Sequence, residues 1–506
     1  MRALYQLSYS PTIDFGSLKK LDKNRKRRYR IPMKKYCEQL LPIISPVEKI
    51  LQALIAAGAT PYLVGGCVRD LVLNQPLKDL DIELHNVSLK RAEEVLGAFG
   101  HVMLVGKQFG VLRLAEFTAD WSLPRRDSTG RKPEVAIVPD LGIMEACRRR
   151  DLTMNAMAID LQHLLTTGTV NIIDHFGGLD DIALKQLRAV DGAFFVHDPL
   201  RFFRVMQFVS RFEMTPDPEL DALCAHMALH DPVTGAPVAL ERIVEEIKKL
   251  FLHARYPSLG FRWLAKIGRI QALMPELAAL IDTPQRADYH PEGNVFEHSM
   301  QAIDAAARFK EQGLVQNDAE ALLIGLATLC HDLGKAVTTT PELRAHGHDE
   351  AGVPLAASLL KRITNDQSLI KAVQLLVRHH LAPFILVAEQ SKPKAYKRLA
   401  ARLGHAVSMR QLGLVALADR QGRNGAGHEP LSAYHDLYEQ FLDQCEEATV
   451  TNQPEPPLLQ GRDLLDEVGP GPALGQLLKK AYLLQIEEGI TDPVELRKRI
   501  LPKKYS

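Results

Sequence analysis

The spacing of apolar positions changes along the chain. Over 45–57 they recur every three to four residues and stop at Gly58, which predicts an amphipathic helix with a glycine cap. Short apolar or alternating runs follow at 61–64, 80–84, 101–105, 111–114 and 134–138, with helical stretches between them. They predict strands of a mixed α/β segment. Residues 123–133 are polar, charged and rich in breakers, so they read as a loop. After residue 187 strand signals vanish and helical periodicity takes over. Residues 199–212 set Leu200, Phe203, Val205, Phe208 and Val209 on one broad face, and a second helix covers 239–253. Residues 281–291 read as a linker, and a further helical region runs to about Cys445. The stretch 449–457, with three prolines, is a clear linker before terminal helices. The predicted fold class is α+β: a head of mixed β-sheet with helices, an all-α neck and body, and a second all-α domain. The expected divisions are an arm at 1–36, the head at 37–186, the neck and body at 187–285, the second helical domain at 286–447, and a linker with terminal helices at 448–506.

Composition narrows the function classes. The 506 residues are 46% hydrophobic and 24% charged, the balance of a globular chain with several cores, so disorder and low-complexity architectures are excluded. No run of 18 apolar residues occurs, and the longest nearly apolar stretch, 319–330, contains Glu320, so no transmembrane helix and no membrane partner are expected. The N-terminus lacks the apolar core of a secretory signal. Six widely spaced cysteines form no CxxC, which argues against disulfides and a cysteine-rich zinc site and for a reducing cytoplasm. The net charge of +1 hides a block at 19–35 with ten Lys or Arg against one acid. Such a terminal block reads equally as an arm that touches nucleic acid or as a solvated tail. Arg497, Lys498, Arg499, Lys503 and Lys504 form a smaller basic cluster.

Two constellations carry chemistry. In the first, Gly65 and Gly66 follow an apolar strand, Arg69 and Asp70 come next, and Asp79 and Asp81 flank Leu80. The glycines let backbone approach a phosphate closely, and a following helix can offer free N–H groups to it. Asp79 and Asp81 share one face of the second strand, a pair of hard oxygen ligands suited to Mg²⁺ with substrate phosphates completing its shell. A bare DxD is more often a solvated strand edge. The combination with the double glycine and Arg69-Asp70 at this spacing is far more specific.

These residues resemble the head of the nucleotidyltransferase superfamily, in its bacterial class II branch of tRNA nucleotidyltransferases and poly(A) polymerases. Further motifs follow in order. Residues 149–158, Arg-Arg-Asp-Leu-Thr-Met-Asn-Ala-Met-Ala, resemble the family's RRDFTxNAMA. Residues 174–181 resemble DPFGGxxD with His175 in place of proline, and Asp198-Pro199-Leu200-Arg201 resembles the nucleotide-reading EDPxR. The likeness spans about 45–285. It implies Asp79, Asp81 and Asp120 as catalytic carboxylates, the first two holding Mg²⁺. It implies Gly65, Gly66, Arg69, Arg150, Asp151, Asn155, Asp198, Arg201 and Arg204 as nucleotide-binding. Asp198 and Arg201 stand three apart at a helix start, so they share a face. A carboxylate accepts from an exocyclic amine and a guanidinium donates to a ring nitrogen, a pattern that cytosine and adenine both offer and guanine and uracil do not. The residue before Asp198 is His197, where the family usually has Glu, which bears on the choice between C and A.

The second constellation begins at His290 and runs through His298, His331-Asp332, His346, His348, His379-His380 and Asp419. An Asp at the end of an apolar helix is costly unless paired or metal-bound, and imidazole with carboxylate suits Mn, Fe, Co, Ni or Zn. The order resembles the HD superfamily of metal-dependent phosphohydrolases over about 289–445. The resemblance implies His298, His331, Asp332 and Asp419 as metal ligands and His348, His379 and His380 as holders of a second ion. It implies a transition metal such as Ni²⁺, Mn²⁺, Co²⁺ or Fe²⁺.

Taken together, the resemblances imply an enzyme that adds CCA to the 3′ end of tRNA from CTP and ATP, binding the acceptor arm, with an HD phosphohydrolase that repairs 3′ ends as a 2′,3′-cyclic phosphodiesterase, 2′-nucleotidase or phosphatase. They leave room for a homodimer. Two alternatives stay open: a poly(A) polymerase or CC- or A-only adding enzyme, and an RNA-binding HD phosphohydrolase with a degenerate head.

Overall fold

The computed structural model describes residues 33–77, 79–105, 110–127, 135–231 and 233–501. The basic block at 19–35 therefore lies outside the described residues except for its last three. These open the helix Met33–Ile44, inside the segment expected to be an arm. Most of the loop expected at 123–133, and Lys503 and Lys504, also lie outside.

The chain forms two compact units. The first comprises the described residues up to Arg126 with Val135–Cys147 and Met154–Ala183. Its centre is a seven-stranded sheet: β1 (Thr60–Val64), β2 (Leu80–His85), β3 (Val102–Val105), β4 (Val111–Leu114), β5 (Ala119–Ser122), β6 (Ala158–Asp160) and β7 (Ile172–Ile173), in the order β3-β4-β5-β2-β1-β6-β7. Only β2 and β5 run parallel; the other neighbours are antiparallel. Leu63, Ile82, Leu112, Leu114, Trp121 and Ile159 are buried in its core. The helix Glu48–Ala56 buries Ile50, Leu51 and Leu54, the last lying four and three residues after the other two as the periodicity predicts. The five strands expected from alternation occur within about a residue or two of their predicted ends, the last as Val135–Ile137. The strands β6 and β7 carry no sequence signal, because three- and two-residue strands are too short to display alternation. At the end of β1 the chain reverses at Gly65, whose φ of +72° only glycine adopts without strain, into the helix Gly66–Val72.

The second unit holds Arg148–Thr153 and the described residues from Leu184 onward, and is helical apart from a short parallel pairing of Gln186–Leu187 with Thr215–Pro216. Leu200–Phe212 and Leu240–His253 are its first long helices. Leu200–Phe212 begins after Pro199 and buries nearly its whole apolar face. Five further helices are Val295–Arg308, Asp318–Cys330, His348–Leu360, Gln367–His379 and Met409–Gln421. Four of these start on a capping side chain, Asn294, Asn317, Asp366 and Ser408, each accepting a backbone N–H of the first turn. The terminal helices Pro472–Glu488 and Pro493–Ile500 close over a core of their own that includes Leu464, Ala481, Leu496 and Ile500. The α+β expectation holds.

One expectation needs correction. Three helical stretches, Lys35–Ala56, Asp318–Thr338 and Gln367–Ala388, reach the length and mean hydropathy of a membrane span, although none was expected. Each joins successive helices across a break, so their combined length exceeds any continuous apolar run. Much of that apolar surface packs within the fold: Asp318–Cys330 buries ten of its thirteen residues.

Candidate functional sites in the head and the HD region

In the first unit the carboxylates gather around one end of β2. Asp81 lies on β2 and is exposed, while its neighbours Leu80 and Ile82 are buried. Asp79, expected within the strand, sits in the bend just ahead of it and is also exposed. The parallel register pairs Asp81 with Asp120 of β5. Asp120 receives a two-pronged interaction from Arg113 of β4, with Nε to Oδ1 at 2.6 Å and Nη2 to Oδ2 at 2.7 Å. The segment ahead of β2 is held by Cys67: its thiol donates to the Asp79 carbonyl at 3.0 Å, and the Asp81 N–H donates to its sulfur at 3.3 Å. Burial, reinforced by the Asp81 charge, pushes this thiol up to about 12, so it stays protonated and can donate. Arg69 is 6% exposed and braces the turn, donating to Asn155 Oδ1 and to Asp70 Oδ1, both at 2.7 Å. Gly66 stands against that guanidinium, since a Cβ there would lie 3.3 Å from Arg69 Nη2.

The second unit places the remaining nucleotide-reading candidates. Asp198 precedes the helix Leu200–Phe212; its Oδ1 accepts from Leu200 N–H at 3.1 Å and its Oδ2 from Arg242 at 3.1 Å. Arg201 donates to the carbonyls of Phe194 and Arg149, each at 2.7 Å. Sequence spacing set Asp198 and Arg201 on one helical face, but Asp198 lies before the first turn and each has taken other partners. Arg204 donates to Asp151 at 2.6 Å, and Asp151 also accepts from Leu152 N–H. Arg150 lies half-buried in the same short segment as Asp151. His197 packs edge-on against Phe194, with ring centroids 5.8 Å apart.

The HD region brings together residues scattered over more than 120 positions. His298 rides mid-helix in Val295–Arg308, His331 follows Asp318–Cys330, His348 opens its helix, His380 ends Gln367–His379, and Asp419 lies in Met409–Gln421. All of these, with Asp332, are buried. The imidazole orientation is set from behind. His331 Nδ1 lies 2.6 Å from the Thr328 carbonyl, His348 Nδ1 2.7 Å from Ala345, and His380 Nδ1 2.7 Å from Val377. Carbonyls only accept, so each Nδ1 carries a hydrogen and each ring turns its Nε2 inward. There Nε2 of His298 and His331 stand 3.2 Å apart, and those of His348 and His380 3.3 Å apart. Asp332 lies between the pairs. Its Oδ2 is 3.2 Å from His331 and 3.5 Å from His298, and its Oδ1 is 3.3 Å from His348. Asp419 Oδ1 is 3.1 Å from His298.

Imidazole nitrogens and carboxylates gathered this closely need protons or a cation between them. Both Asp332 oxygens are buried without a hydrogen-bond partner, and Lys335 Nζ forms an ion pair with Oδ2 at 2.7 Å. This donor set fits a divalent cation, and the two groups, His298-His331-Asp332 and Asp332-His348-His380, share Asp332 as a bridge. Burial disfavours charge on Asp332, but His331 and Lys335 outweigh it and hold the carboxyl well below its usual range. Burial, then the neighbouring His331 and His348, pull His380 down to about 4, so it is neutral and able to ligate at pH 7.

His379, expected beside His380 as a ligand, belongs to neither group. Successive helical residues point about 100° apart, so only one of the two can face inward. Burial, then Arg402 and Arg378, lower its pKa, and the buried ligands do not enter. Two residues outside the ligand set implied by the motifs complete the site. Glu292, fully buried, lies 2.8 Å from Nδ1 of both His290 and His298, and Arg423 donates to Asp419 at 2.8 Å. Their signal was the placement of Glu292 six residues before His298 and the i,i+4 spacing of Asp419 to Arg423. Gly334, next to Asp332-Leu333, shows why the turn admits no side chain: a Cβ there would fall 1.9 Å from the His348 carbonyl oxygen.

Comparison with known proteins agrees with both halves. Residues 61–188 match the Poly A polymerase head domain family and residues 295–420 the HD domain family. The Multifunctional CCA protein of Mannheimia succiniciproducens is 31% identical over 375 residues, covering 72% of this chain and 84% of that protein. The Multifunctional CCA protein of Xanthomonas campestris is 31% identical over 438 residues, covering 84% of this chain and 98% of its own length. Among solved structures, the Bacillus stearothermophilus CCA-adding enzyme in complex with CTP shares the fold with a TM-score of 0.57 at 20% identity, covering 90% of this chain and 98% of that one. The Thermotoga maritima CCA-adding enzyme complexed with tRNA aligns with a TM-score of 0.54 at 19% identity, covering 92% and 97%. A nucleotidyltransferase head and an HD domain each imply dependence on a divalent cation. With a nucleotidyltransferase head, an HD domain and relatives aligned over most of their length, the chain belongs to the multifunctional CCA protein family.

Proposed function

We propose that this protein adds C, C and A to tRNA 3′ ends from CTP and ATP, releasing pyrophosphate, and that its HD half hydrolyses phosphoesters that block such ends. The observation that carries the first half is the in-register pair Asp81 and Asp120 on parallel strands, with Asp79 one residue before β2. In this reading Asp79 and Asp81 hold Mg²⁺, and Asp120 is the third carboxylate once Arg113 releases it. Cys67 fixes the backbone between Asp79 and Asp81. Asp198 and Arg201 read the amine and ring nitrogen shared by C and A, after exchanging Arg242 and the Phe194 and Arg149 carbonyls for the base. Arg150 takes a phosphate or sugar contact, and the Asp151–Arg204 pair steadies the helix beside them.

In the HD half, His298, His331, Asp332 and Asp419 hold one metal and Asp332, His348 and His380 a second; nitrogen and oxygen donors of this kind suit Ni²⁺, Mn²⁺, Co²⁺ or Fe²⁺. Bound divalent ions supply Lewis-acid chemistry in both halves, lowering the pKa of water or of a hydroxyl and neutralising charge on phosphoryl oxygens. The protein's own groups orient the substrate: Lys335 and Arg423 place positive charge beside the ligands. All six cysteines are buried thiols without disulfides, in keeping with a cytoplasmic tRNA-processing enzyme.

The test uses tRNAs ending before CCA, after CC, and in a 2′,3′-cyclic phosphate. Extension that stops after CCA supports the first half. A ladder of A residues, or arrest at CC, refutes it. The double variant Asp79→Asn, Asp81→Asn should abolish extension yet still open the cyclic end; loss of both activities in a folded protein would refute the two-site reading.

A further inference from the structure

The cavity over the histidine cluster has an aromatic mouth that phosphoester hydrolysis alone does not require. It measures about 460 Å³, and its lining includes Arg286, Tyr289, Lys335, Arg344, His346 and Arg423 beside the buried ligands. The basic groups suit an anion. Tyr289 does not: its residue is 60% exposed at the rim of a polar cavity, where an aromatic surface gains nothing unless something covers it. It is also held in place. The Arg286 guanidinium lies over the ring, 5.0 Å from its centroid, and is clamped by Asp288 through two bonds of 3.1 and 2.6 Å. The Tyr289 N–H donates to the Arg286 carbonyl at 3.1 Å, closing a tight turn. With its charge paired, Arg286 serves as a flat backing for the ring. The next residue, His290, packs edge-on against His298 with centroids 4.9 Å apart, so the ledge adjoins the ligand cluster directly.

Resting on the phosphohydrolase reading above, we propose that the Arg286–Tyr289 ledge stacks an unpaired nucleobase whose ribose 2′- or 3′-phosphate, open or cyclic, lies at the histidine cluster. Tyr289 is then a specificity-determining residue that favours base-bearing phosphates over phosphate esters without a base. For a cyclic ester, the oxygen of water bonds to phosphorus, one ribosyl P–O bond breaks, and the proton from water passes to the released ribose oxygen. Stacking acts on the base, away from the reacting phosphorus, and so its effect falls on KM.

The experiment compares the full metal-loaded chain with Tyr289→Ala and Tyr289→Phe on adenosine 2′,3′-cyclic phosphate, on a tRNA ending in a 2′,3′-cyclic phosphate, and on glycerol 1,2-cyclic phosphate, which has no base. The expected result is a drop of about tenfold, carried by KM, in the kcat/KM ratio of a base-bearing to the base-free substrate for Tyr289→Ala, with recovery in Tyr289→Phe. A drop with the free nucleotide or with the tRNA supports the ledge and identifies the source it serves. An unchanged ratio in both arms overturns it. If the wild type hydrolyses none of them, the hydrolase reading fails, and the ledge is judged by binding of adenosine 2′-phosphate. Tenfold weaker binding in Tyr289→Ala than in the wild type still supports it, and equal binding overturns it.

Discussion

Replacing Glu292 tests whether the HD histidines are oriented from behind. Its carboxylate is fully buried, and one oxygen accepts from Nδ1 of His290 and of His298 at 2.8 Å each. Burial would raise its pKa, but hydrogen bonds from His290 and His298 outweigh that and hold it down to about 2. Glu292 is thus charged at all working pH values and turns His298 Nε2 towards His331 and Asp419. A hydrogen bond to a charged acceptor is worth roughly 1.5–3 kcal/mol, about twice a neutral one. Glu292→Gln keeps an oxygen in place and loses only the charge, which costs about 1–1.5 kcal/mol at His298. Each 1.4 kcal/mol is tenfold in an equilibrium constant, so metal affinity should fall about tenfold. Glu292→Ala removes the acceptor, leaves only the Gly422 carbonyl at 3.1 Å for Nδ1, and should cost up to about a hundredfold. The assay is Ni²⁺ or Mn²⁺ competition between stripped protein and a chromophoric chelator, with far-UV circular dichroism to confirm folding. Wild-type affinity in both folded variants would refute the orienting role.

Other outcomes follow from the same geometry. Cys67→Ala should lower the kcat of nucleotide addition ten- to hundredfold, because the backbone carrying Asp79 and Asp81 loses its sulfur tie, and Cys67→Ser should restore part of it in incorporation kinetics. Gly334→Ala should abolish metal binding by the HD region in the same chelator assay, since its methyl group would displace His348 from Asp332. Asp304 is buried and bonded by the backbone and hydroxyl of Ser258, and burial raises its pKa from 3.8 to about 7 despite those bonds. An acid raised in the folded state contributes stability below its unfolded pKa and loses it as pH climbs through the folded one, here on the order of 4 kcal/mol between about pH 4 and 7. Asp304→Asn should therefore flatten the decline in chemical-denaturation stability between pH 5 and 8, and an unchanged slope would show that Asp304 does not titrate there.

Much of this fold is local and was readable in order along the chain. Apolar residues three to four apart mark the helices Glu48–Ala56, Leu200–Phe212 and Leu240–His253, because periodicity acts within a few residues. The double glycine, Asp79, Asp81 and the spaced histidines were legible as residue types at particular intervals. The short strands β6 and β7 were not, since their stability comes from pairing with β1 and with each other rather than from their own pattern.

The sequence by itself determined which side chains were available for chemistry and on which elements most of them would ride. Tertiary structure decided which of them meet. The parallel pairing of β2 and β5 set Asp120 opposite Asp81, and helix rotation chose His380 over its neighbour His379. Asp198 and Arg201, adjacent by spacing, took other partners because the helix begins between them. Packing of distant helices brought Glu292 behind His298 and turned the Nε2 atoms toward one another. Ligand geometry depends on directions and ångström distances between segments more than a hundred residues apart, and those are properties of the packed helices and sheet rather than of any stretch of sequence.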